Sequence, residues 1–367
     1  MKIDFRRDYL GRCREVNVKR FQTEIALRML LMLRASSLLI AGCIAFLFAA
    51  TAAADPIPEQ VVICSWNTEW LFDNYAGDNN AELAKKMTAP SRPDWDWKLA
   101  GVEKLVREVK PTILGLQEIE NSRVLFYLTQ RFKNDPELKF RTAFVEGSDF
   151  FTEQDVGILA LSGLTGFGRR EMSKEQFEDK QNMSVAKHLF ATFEWGTGAD
   201  RETLTVVNMH LRARGEVTHL RIRQANLIRA WVNDLIKKGE NVVLMGDLNS
   251  DEFATETTPD GDIGTMRGLN TPEKEDDLFD TLVELKEKER HTHLNGQQYD
   301  RILLSKGLTE DDPKRKDLCF KSVAIRRDLV IRGKEQDKDH MDIFWTIPEA
   351  ERDVSDHYPV VVTLDYK

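Results

Sequence analysis

The chain has 367 residues, of which 41% are hydrophobic and 31% are charged. This composition can form a sizeable core and excludes wholesale disorder, and the length allows two domains or one large α/β domain with insertions. The formal net charge is −9 at pH 7, and such an acidic chain does not attract a polyanion through its overall field. A phosphate-bearing substrate would therefore require local basic residues or a bound cation.

The N-terminal segment differs in composition from the rest of the chain. Residues 36–54 are apolar and small and end in an Ala-x-Ala type site, so we predict a secretory signal that is cleaved after Ala54. Because the basic segment before it is long for such a signal, Met29 and Met32 are alternative starts. Two other interpretations stay open: a lipoprotein signal that leaves Cys43 as the first residue, and an uncleaved membrane anchor. Cleavage predicts export to the periplasm or the medium.

Export leaves residues 55–367 as the mature part, which we expect to form one domain. Residues 1–54 contain nine Lys/Arg and four Asp/Glu, a net charge of +5, so the mature part carries −14. Of the four cysteines, only Cys64 and Cys319 lie in the mature part, and one possible pair is not a disulfide scaffold. Cys64 falls in a predicted strand, where we expect a buried thiol.

Apolar runs and helical stripes in the mature part indicate a mixture of strands and helices. Strands are predicted at residues 61–67, 112–120, 156–162, 189–195, 204–211, 242–246, 299–305 and 358–366. Helices are predicted at residues 97–110, 216–238 and near 277–289. Because strands outnumber helices, we expect a layered α/β domain with a large sheet area. Polar stretches at 251–297 and 309–352 are too long for simple connections, and we interpret them as insertions around an active-site rim.

Polar side chains repeatedly follow or interrupt these strands near their ends. Asp247 and Asn249 follow one apolar run, and side chains at i and i+2 of an extended chain point the same way. We therefore expect both to face one spot at the mouth of a sheet, although a turn is the ordinary explanation for these residue types. The other residues of this kind are Asn67, Glu118, Asn208, His210, Asp300, Asp356 and His357. Ligands of layered α/β folds gather at strand ends, so the repetition predicts a site there.

The residue types in this set favour one kind of chemistry. Carboxylate and amide oxygens without a cysteine cluster favour Mg²⁺, Mn²⁺ or Ca²⁺ over zinc. Two histidines with nearby carboxylates can transfer protons and stabilise charge. Hydrolysis of a phosphoester needs both, because an attacking water must be activated and an anionic transition state neutralised.

Six segments, in this order along the chain, resemble the motifs of the endonuclease/exonuclease/phosphatase superfamily. This superfamily includes pancreatic-type deoxyribonucleases, apurinic endonucleases, neutral sphingomyelinases and inositol polyphosphate phosphatases. The segments are WNTEWLF (66–72), LQEIE (116–120), NMHL (208–211), GDLNS (246–250), YDRILLS (299–305) and SDHYPV (355–360). Over about residues 61–367, the resemblance implies a four-layer α/β/β/α sandwich of two packed, mainly antiparallel β-sheets flanked by helices. It also implies a divalent-metal phosphoesterase activity.

The resemblance implies a metal site formed by three of these residues. Glu118 is expected to be the principal metal ligand, with Asn67 beside it, and Asp356 resembles a second carboxylate on the metal side. The expected cation is Mg²⁺ or Mn²⁺, with Ca²⁺ as a further candidate.

Five other residues match catalytic positions of the family. Asp247 resembles the carboxylate that orients or deprotonates the attacking water, and Asn249 resembles a donor to the phosphoryl oxygens. His357, paired with Asp300, resembles the histidine that contacts the phosphate or transfers a proton. His210 lies where nuclease and sphingomyelinase relatives place their other histidine. The resemblance does not decide which histidine is the general acid.

Asn208 and Arg212 are candidate substrate contacts. Arg212 belongs to a basic cluster that follows His210; its other members are Arg214, Arg221 and Arg223. We interpret this cluster as a solvated helix face, and a contact with a substrate phosphate is the alternative.

Several residues beside the motifs are interpreted as structural. Glu69 and Glu120 are expected to face solvent or to accept local hydrogen bonds. His291 and His293 are not expected to form a metal pair, because no third ligand is evident. Trp95 is expected to pack at the start of the first predicted helix.

The substrate is the least determined property. A nuclease is favoured by NMHL, by the arginines after it and by the signal segment. A phosphatase or phospholipase C-like enzyme acting on a lipid or inositol headgroup is the alternative; YDRIL resembles inositol phosphatases, but no clear aromatic loop for a membrane is evident. A non-catalytic binding module on the same fold is disfavoured, because every motif keeps its reactive residue. We expect a monomer without a stable protein partner.

Overall fold

The computed structural model describes residues 54–311, 315–333, 340 and 343–367. Residues Ala54–Lys367 form one compact unit. The predicted secretory signal lies, except for Ala54, outside the described residues. Within the described ranges, no helix combines the length and the apolar character that a membrane span requires.

Strands outnumber helices in the described part of the chain. The strands are β1 (Gln60–Leu71), β2 (Ile113–Ile119), β3 (Arg141–Phe144), β4 (Asp155–Ala160), β5 (Leu164–Gly168), β6 (Lys187–Trp195), β7 (Glu202–His210), β8 (Val242–Asp247), β9 (Phe279–Asp280), β10 (Asp300–Leu304), β11 (Leu318–Ile325) and β12 (Val360–Tyr366). The helices are α1 (Glu82–Met87), α2 (Arg92–Val109), α3 (Ser122–Arg131), α4 (Lys174–Glu178), α5 (Thr218–Lys237) and α6 (Asp262–Arg267).

The strands form two six-stranded sheets. The first has the order β11-β12-β1-β2-β4-β3, and the second has the order β5-β6-β7-β8-β10-β9. Within them, β1 and β2 are parallel, as are β7 and β8, and the other neighbouring pairs are antiparallel. The expected pair of mainly antiparallel sheets is therefore confirmed.

Both faces of the central strands are buried, which explains why they are apolar runs without alternation. In β8, Val243 lies in the core between the sheets, while Leu244 packs in the core that contains α5. In β2, Ile113 lies between the sheets, while Leu114 packs with α2 and α3. The helices thus cover the outer faces, which gives the four layers. Cys64 is a buried free thiol, as expected.

The helix predicted near 277–289 is wrong. The segment instead contains β9 and two 3-10 turns, Thr281–Glu284 and Glu287–Glu289. Asp280 caps the first turn, and its carboxylate pairs at 2.6 Å with the fully buried Arg301 of β10. This pairing fixes the segment against the sheet, where a longer helix does not form. The helix of this polar stretch is α6, which lies earlier in the chain.

The described part of the second polar stretch, 309–352, includes a strand of the first sheet. It contains β11, which pairs with β12 at the edge of the first sheet. Exposed residues interrupt the apolar positions of β11, so the strand lacks the continuous apolar run that identifies the central strands.

Candidate active site

Three strands of the second sheet bring polar side chains to one edge. His210 ends β7, Asp247 ends β8 and Asp300 begins β10. His210 lies in register with Asp247 on the parallel neighbour, and Asp247 lies opposite Asp300 on the antiparallel neighbour. The order of the strands therefore places these three residues side by side, although they are far apart in the sequence.

The first sheet contributes residues from β1, from β2 and from the loop before β12. Asn67 lies in β1, and Glu118 lies in β2 at a break in the regular pairing, with a left-handed φ of 58°. Such irregularities are frequent next to active sites, where they redirect a side chain. Two hydrogen bonds hold the loop before β12 against β1: Trp66 Nε1 donates to the carbonyl of His357 at 3.0 Å, and Ser355 Oγ donates to the carbonyl of Asn67 at 2.8 Å.

Asn67 joins the two halves of the site. Its Nδ2 donates to Asp247 Oδ2 at 2.9 Å and to Glu118 Oε1 at 3.2 Å, while its Oδ1 accepts from the backbone N–H of Glu69 at 2.9 Å. An amide nitrogen does not bind a cation. A metal-ligand role for Asn67 would require the amide to rotate, and this role stays a prediction; the described geometry shows Asn67 holding two carboxylates together.

His357 and Asp300 form the expected pair. His357 Nδ1 lies 2.8 Å from Asp300 Oδ2, and both side chains are buried. Burial alone would lower the pKa of His357, but Asp300, followed by Asp356 and Asp247, raises it well above the ordinary value. The raised pKa favours the protonated form of His357, whose Nε2 lies 3.8 Å from an oxygen of Asp247 and 3.8 Å from an oxygen of Asp356.

The pKa of His210 is shifted in the opposite direction. Its Nε2 lies 3.5 Å from Asp247 Oδ2 and 3.9 Å from Glu118 Oε1. Burial, followed by the charge of Lys187, lowers the pKa of His210 to about 3. The two histidines near Asp247 therefore have pKa values shifted in opposite directions, which suits them to different roles.

The donor set fits a divalent cation. Glu118, His210 and Asp247 each offer one donor atom, and these atoms lie within 4.8 Å of one another. Burial and then the negative charge of Asp356 raise the pKa of Glu118 to about 7, so a cation beside this carboxylate would favour its ionised form. Within the described ranges, Asp356 Oδ1 is buried without a hydrogen-bond donor. The carboxylate oxygens of Glu118, Asp247 and Asp356 are the hard donors that Mg²⁺, Mn²⁺ or Ca²⁺ would use.

Comparison with known proteins agrees with this geometry. Residues 62–366 match the sequence profile of the endonuclease/exonuclease/phosphatase family. The chain belongs to this family. It is accordingly a metal-dependent phosphoester hydrolase, as the resemblance implies.

Solved structures of the endonuclease/exonuclease/phosphatase fold are similar in architecture at low sequence identity. The human Nocturnin catalytic domain with bound sulfate has a TM-score of 0.53 at 14% identity, over 85% of this chain and 96% of that one. A family protein from Bacteroides vulgatus has a TM-score of 0.52 at 15% identity, over 84% and 100%. Humanized TDP2 from D. rerio has a TM-score of 0.50 at 14% identity, over 84% and 100%. Among curated proteins, none matches the chain by sequence.

Asn249 lies beside Asp247 in this family member, but not for the reason that strand alternation suggests. β8 ends at Asp247, and Asn249 has a left-handed φ of 51°, so the i, i+2 rule of an extended chain does not apply. The backbone N–H of Asn249 donates to Asp247 Oδ1 at 2.9 Å, and its Nδ2 donates to the carbonyl of Leu211 at 3.1 Å. Asn249 thus fixes Asp247, and its role toward phosphoryl oxygens stays a prediction.

The prediction that Asn208 contacts the substrate is wrong. Asn208 is fully buried, and its Nδ2 donates to the carbonyls of Leu116 and Gly157 on the first sheet. Its Oδ1 accepts from Gln117 Nε2 at 2.6 Å. These bonds satisfy the side chain between the sheets, so Asn208 holds the sheets together.

The basic cluster after His210 does not form one solvated face. Arg212 and Arg214 are exposed on the loop that follows β7. Arg221 is fully buried instead, and it pairs with the buried Asp262 at 2.6 Å. Arg223 donates to the carbonyl of Asn182. Only the two loop arginines of this cluster are therefore exposed beside the site.

Glu69 and Glu120 are buried, so the solvent-facing interpretation is wrong for both. Glu69 Oε2 accepts from the backbone N–H of Asp356 at 2.9 Å and lies 2.7 Å from His340 Nδ1. Glu120 accepts from the backbone N–H of Asp73 at 2.9 Å. These partners lie 47 to 287 positions away in the sequence, and no local pattern indicates them.

Two further residues lie near the site without any motif that predicts them there. His293 does not pair with His291; it lies beside Asp356, with its Nε2 3.3 Å from Asp356 Oδ2. Lys187 lies in register with His210 on β6 and is almost completely buried. The sequence shows a lysine and a histidine at these positions, but the strand register and the loop pairing that bring them to the site are not readable from it.

Proposed function

We propose that the protein is an exported endonuclease that hydrolyses phosphodiester bonds of nucleic acids with Mg²⁺ or Mn²⁺. The membership of the family establishes phosphoester hydrolysis; the nucleic-acid substrate, the particular metal and export are the proposal. The observation that carries the choice of substrate is the pair of exposed arginines, Arg212 and Arg214, on the loop that begins one residue after His210.

The arrangement of the side chains suits attack by water on a phosphodiester. Both oxygens of Asp247 accept hydrogen bonds, one from Asn67 and one from Asn249, so the carboxylate is held in one orientation in which it can orient the water and receive its proton. A bound cation would supply positive charge to the phosphoryl oxygens and lower the pKa of the water. Glu118 would hold this cation, with Asp356 on the same side.

The two histidines would have different roles toward the reacting group. The imidazolium of His357, fixed by Asp300, can donate a hydrogen bond to a phosphoryl oxygen or a proton to the leaving oxygen. The neutral His210, beside Asp247, can accept a hydrogen bond but carries no charge. This division follows from their opposite pKa shifts.

Local cations explain how an acidic protein could bind a polyanion. The mature part carries −14, so the overall field repels nucleic acid. Arg212 and Arg214 are exposed beside the site, and arginine is well suited to phosphate because it offers several donors in a fixed geometry. A strand crossing the site could therefore place its neighbouring phosphates on this loop.

The first experiment is a nicking assay with purified protein, supercoiled plasmid and Mg²⁺ or Mn²⁺, with an EDTA control. His357→Ala tests the site, and His219→Ala is the matched control because His219 is exposed on α5. We expect metal-dependent nicking that His357→Ala abolishes and His219→Ala preserves. Absence of nicking by folded, metal-loaded protein would rule out the nuclease.

A lipid or inositol headgroup is the second candidate, favoured by one observation. Phe150 and Phe151 are 88% and 71% exposed on the loop between β3 and β4, where Asp149 pairs with Lys187 beside the site at 3.2 Å. Exposed neighbouring aromatic rings suit a membrane surface as well as a nucleobase. Hydrolysis of sphingomyelin or phosphoinositide vesicles that Phe150→Ser reduces, and Phe177→Ser on α4 does not, would support this candidate.

Export and oligomeric state are tested separately from the substrate. If the predicted signal is cleaved, the N-terminal residue of the secreted or periplasmic protein is Asp55; a lipid-modified Cys43 or an intact N-terminus would identify the lipoprotein or the anchor. We propose a monomer, and light scattering of the purified protein during gel filtration measures its mass directly.

A further inference from the structure

We infer that His293 is a positioning residue that fixes the carboxylate of Asp356 by donating a hydrogen bond from Nε2. The inference rests on the proposed function, in which Asp356 lies on the metal side of the site. His293 Nε2 lies 3.3 Å from Asp356 Oδ2, and no motif of the sequence assigns it a role.

The backbone holds His293 in place against the segment that carries Asp356. His293 and His357 form an isolated antiparallel bridge. The backbone N–H of Leu294 donates to the carbonyl of Asp356 at 2.9 Å, and that of Tyr358 donates to the carbonyl of Thr292 at 2.7 Å. The two segments are therefore paired on either side of the contact, so the distance between the two side chains is set by main-chain hydrogen bonds.

A second hydrogen bond determines the tautomer of His293. The backbone N–H of Asn295 donates to His293 Nδ1 at 3.1 Å, and a ring nitrogen that accepts a hydrogen bond carries no hydrogen. In the neutral ring the hydrogen must therefore be on Nε2, which faces Asp356. His293 is thus a donor to the carboxylate.

The same bond argues against His293 as a metal ligand. Potential ligand atoms of His293, Asp356 and His357 lie within 4.8 Å of one another. A cation on His293 Nε2 would force the ring hydrogen to Nδ1, where it would face the N–H of Asn295. The hydrogen bond from the backbone of Asn295 therefore favours hydrogen-bond donation by His293 Nε2 over binding of a metal by this atom.

Donation to Oδ2 leaves the other oxygen of Asp356 available to the site. Asp356 Oδ1 has no hydrogen-bond partner among the described residues and lies 3.8 Å from His357 Nε2. The backbone N–H of Asp356 is held separately by Glu69. The ring of His293 also packs edge-on against His357, with ring centroids 4.5 Å apart. His293 thereby fixes the orientation of the Asp356 carboxylate and packs against one side of the His357 ring.

Two substitutions separate the hydrogen bond from the packing. His293→Phe keeps an aromatic ring but removes the donor, whereas the amide of His293→Gln can donate in place of Nε2. His291→Phe is the matched control in the same loop. We expect His293→Phe to lower the affinity for Mn²⁺ and the kcat/KM with a phosphodiester about 10- to 100-fold, a range typical of residues that orient metal ligands. His293→Gln should retain most of both, and His291→Phe should change neither.

The outcomes are distinguishable. Wild-type behaviour of His293→Phe would overturn the inference, and a loss confined to His293→Gln would show that packing on His357 matters instead of donation. Equal losses in both variants would also contradict it, because the amide donor would not restore the function. If the wild-type protein hydrolyses none of the phosphodiesters tried, the proposed function fails, but the affinities for Mn²⁺ still decide the role of His293. The tautomer of His293 gives an independent readout by ¹⁵N NMR of the imidazole nitrogens. The resonances of His293 are assigned as those that disappear in His293→Gln, and we expect them to show a protonated Nε2 and an unprotonated Nδ1. The opposite tautomer would contradict the inference.

Discussion

Lys98 Nζ donates to the carbonyl oxygen of Val354 at 2.6 Å, two residues before Asp356. The lysine lies on α2, is 1% exposed, and has its ammonium 4.7 Å from the centre of the Phe344 ring. A helix on the outside of the first sheet is thereby tied to the loop that carries two site residues.

This tether predicts a variant that affects both activity and stability. Lys98→Met removes the hydrogen bond that fixes the loop and leaves the carbonyl of Val354 without its donor. We expect the free energy of unfolding to fall by about 1 to 3 kcal/mol, and the kcat of the folded protein to fall clearly. Urea unfolding and hydrolysis assays measure the two effects. Lys104→Met, at an exposed position of the same helix, should change neither; a stable and fully active Lys98→Met would refute the tether.

Asp300→Asn tests the charge of His357. Asp300 raises the pKa of His357, so the protonated form persists above neutrality and is lost as the pH rises through the raised pKa. Removing the negative charge lowers that pKa, and the alkaline fall in kcat/KM should move to lower pH. We also expect a loss of about 10²- to 10⁴-fold at neutral pH, the usual contribution of a proton-transferring group. An unchanged alkaline limb would show that another group controls it.

Arg212→Ala and Arg214→Ala test the loop after β7. If each arginine binds one phosphate, each variant should bind DNA more weakly, and the slope of log K against log salt should become shallower by about 1 per arginine removed. Binding can be measured by fluorescence anisotropy with catalytic metal omitted. Lys110→Ala is the control, because Lys110 follows α2, lies before the end of β2 opposite to Glu118, and pairs with Glu137. Equal salt slopes in the wild type and in all variants would show that neither arginine binds a phosphate of the substrate.

The buried His188 is expected to make the free energy of unfolding decrease in acid. It is buried, it stacks on Trp231 with ring centroids 5.0 Å apart, and burial, followed by the charge of Arg169, lowers its pKa to about 4. The unfolded chain binds a proton near its ordinary pKa of about 6.5, so the stabilising effect is complete above that value and is lost as the pH falls toward 4. We expect this group alone to cost about 1 kcal/mol between pH 7 and pH 5.5. Urea unfolding of wild type and His188→Gln at both pH values measures the difference, which should be smaller in the variant.

The sequence predicts a strand most reliably where the residues of that strand alone form a recognisable pattern. The runs around Val243 and Ile113 are buried on both faces, so continuous apolar residues identify them, and the polar residues that end them identify the site. Edge strands such as β3, β5 and β11 lack such runs, and the sequence does not predict them. Within the site, Asp247 and His357 are located through motifs, because each motif is short and continuous.

The wrong predictions concern residues whose partners lie in distant segments of the chain. The sequence cannot indicate that Arg221 pairs with Asp262, 41 positions away, or that Asn208 points between the sheets instead of toward a ligand. Glu69 looks solvent-facing in the sequence because its partner His340 lies 271 positions further along the chain. Burial of a charged residue depends on such a partner, so it becomes predictable only once the packing of the sheets is known.

The hydrogen bonds of Asn67 have a consequence for biosynthesis. Asn67 lies in β1, the first strand of the described chain, and it meets Asp247 of the second sheet and Ser355 just before β12. A nascent chain therefore completes neither the site nor the first sheet before the residues of β12 have been synthesised. The site forms only when the two ends of this domain pair with each other.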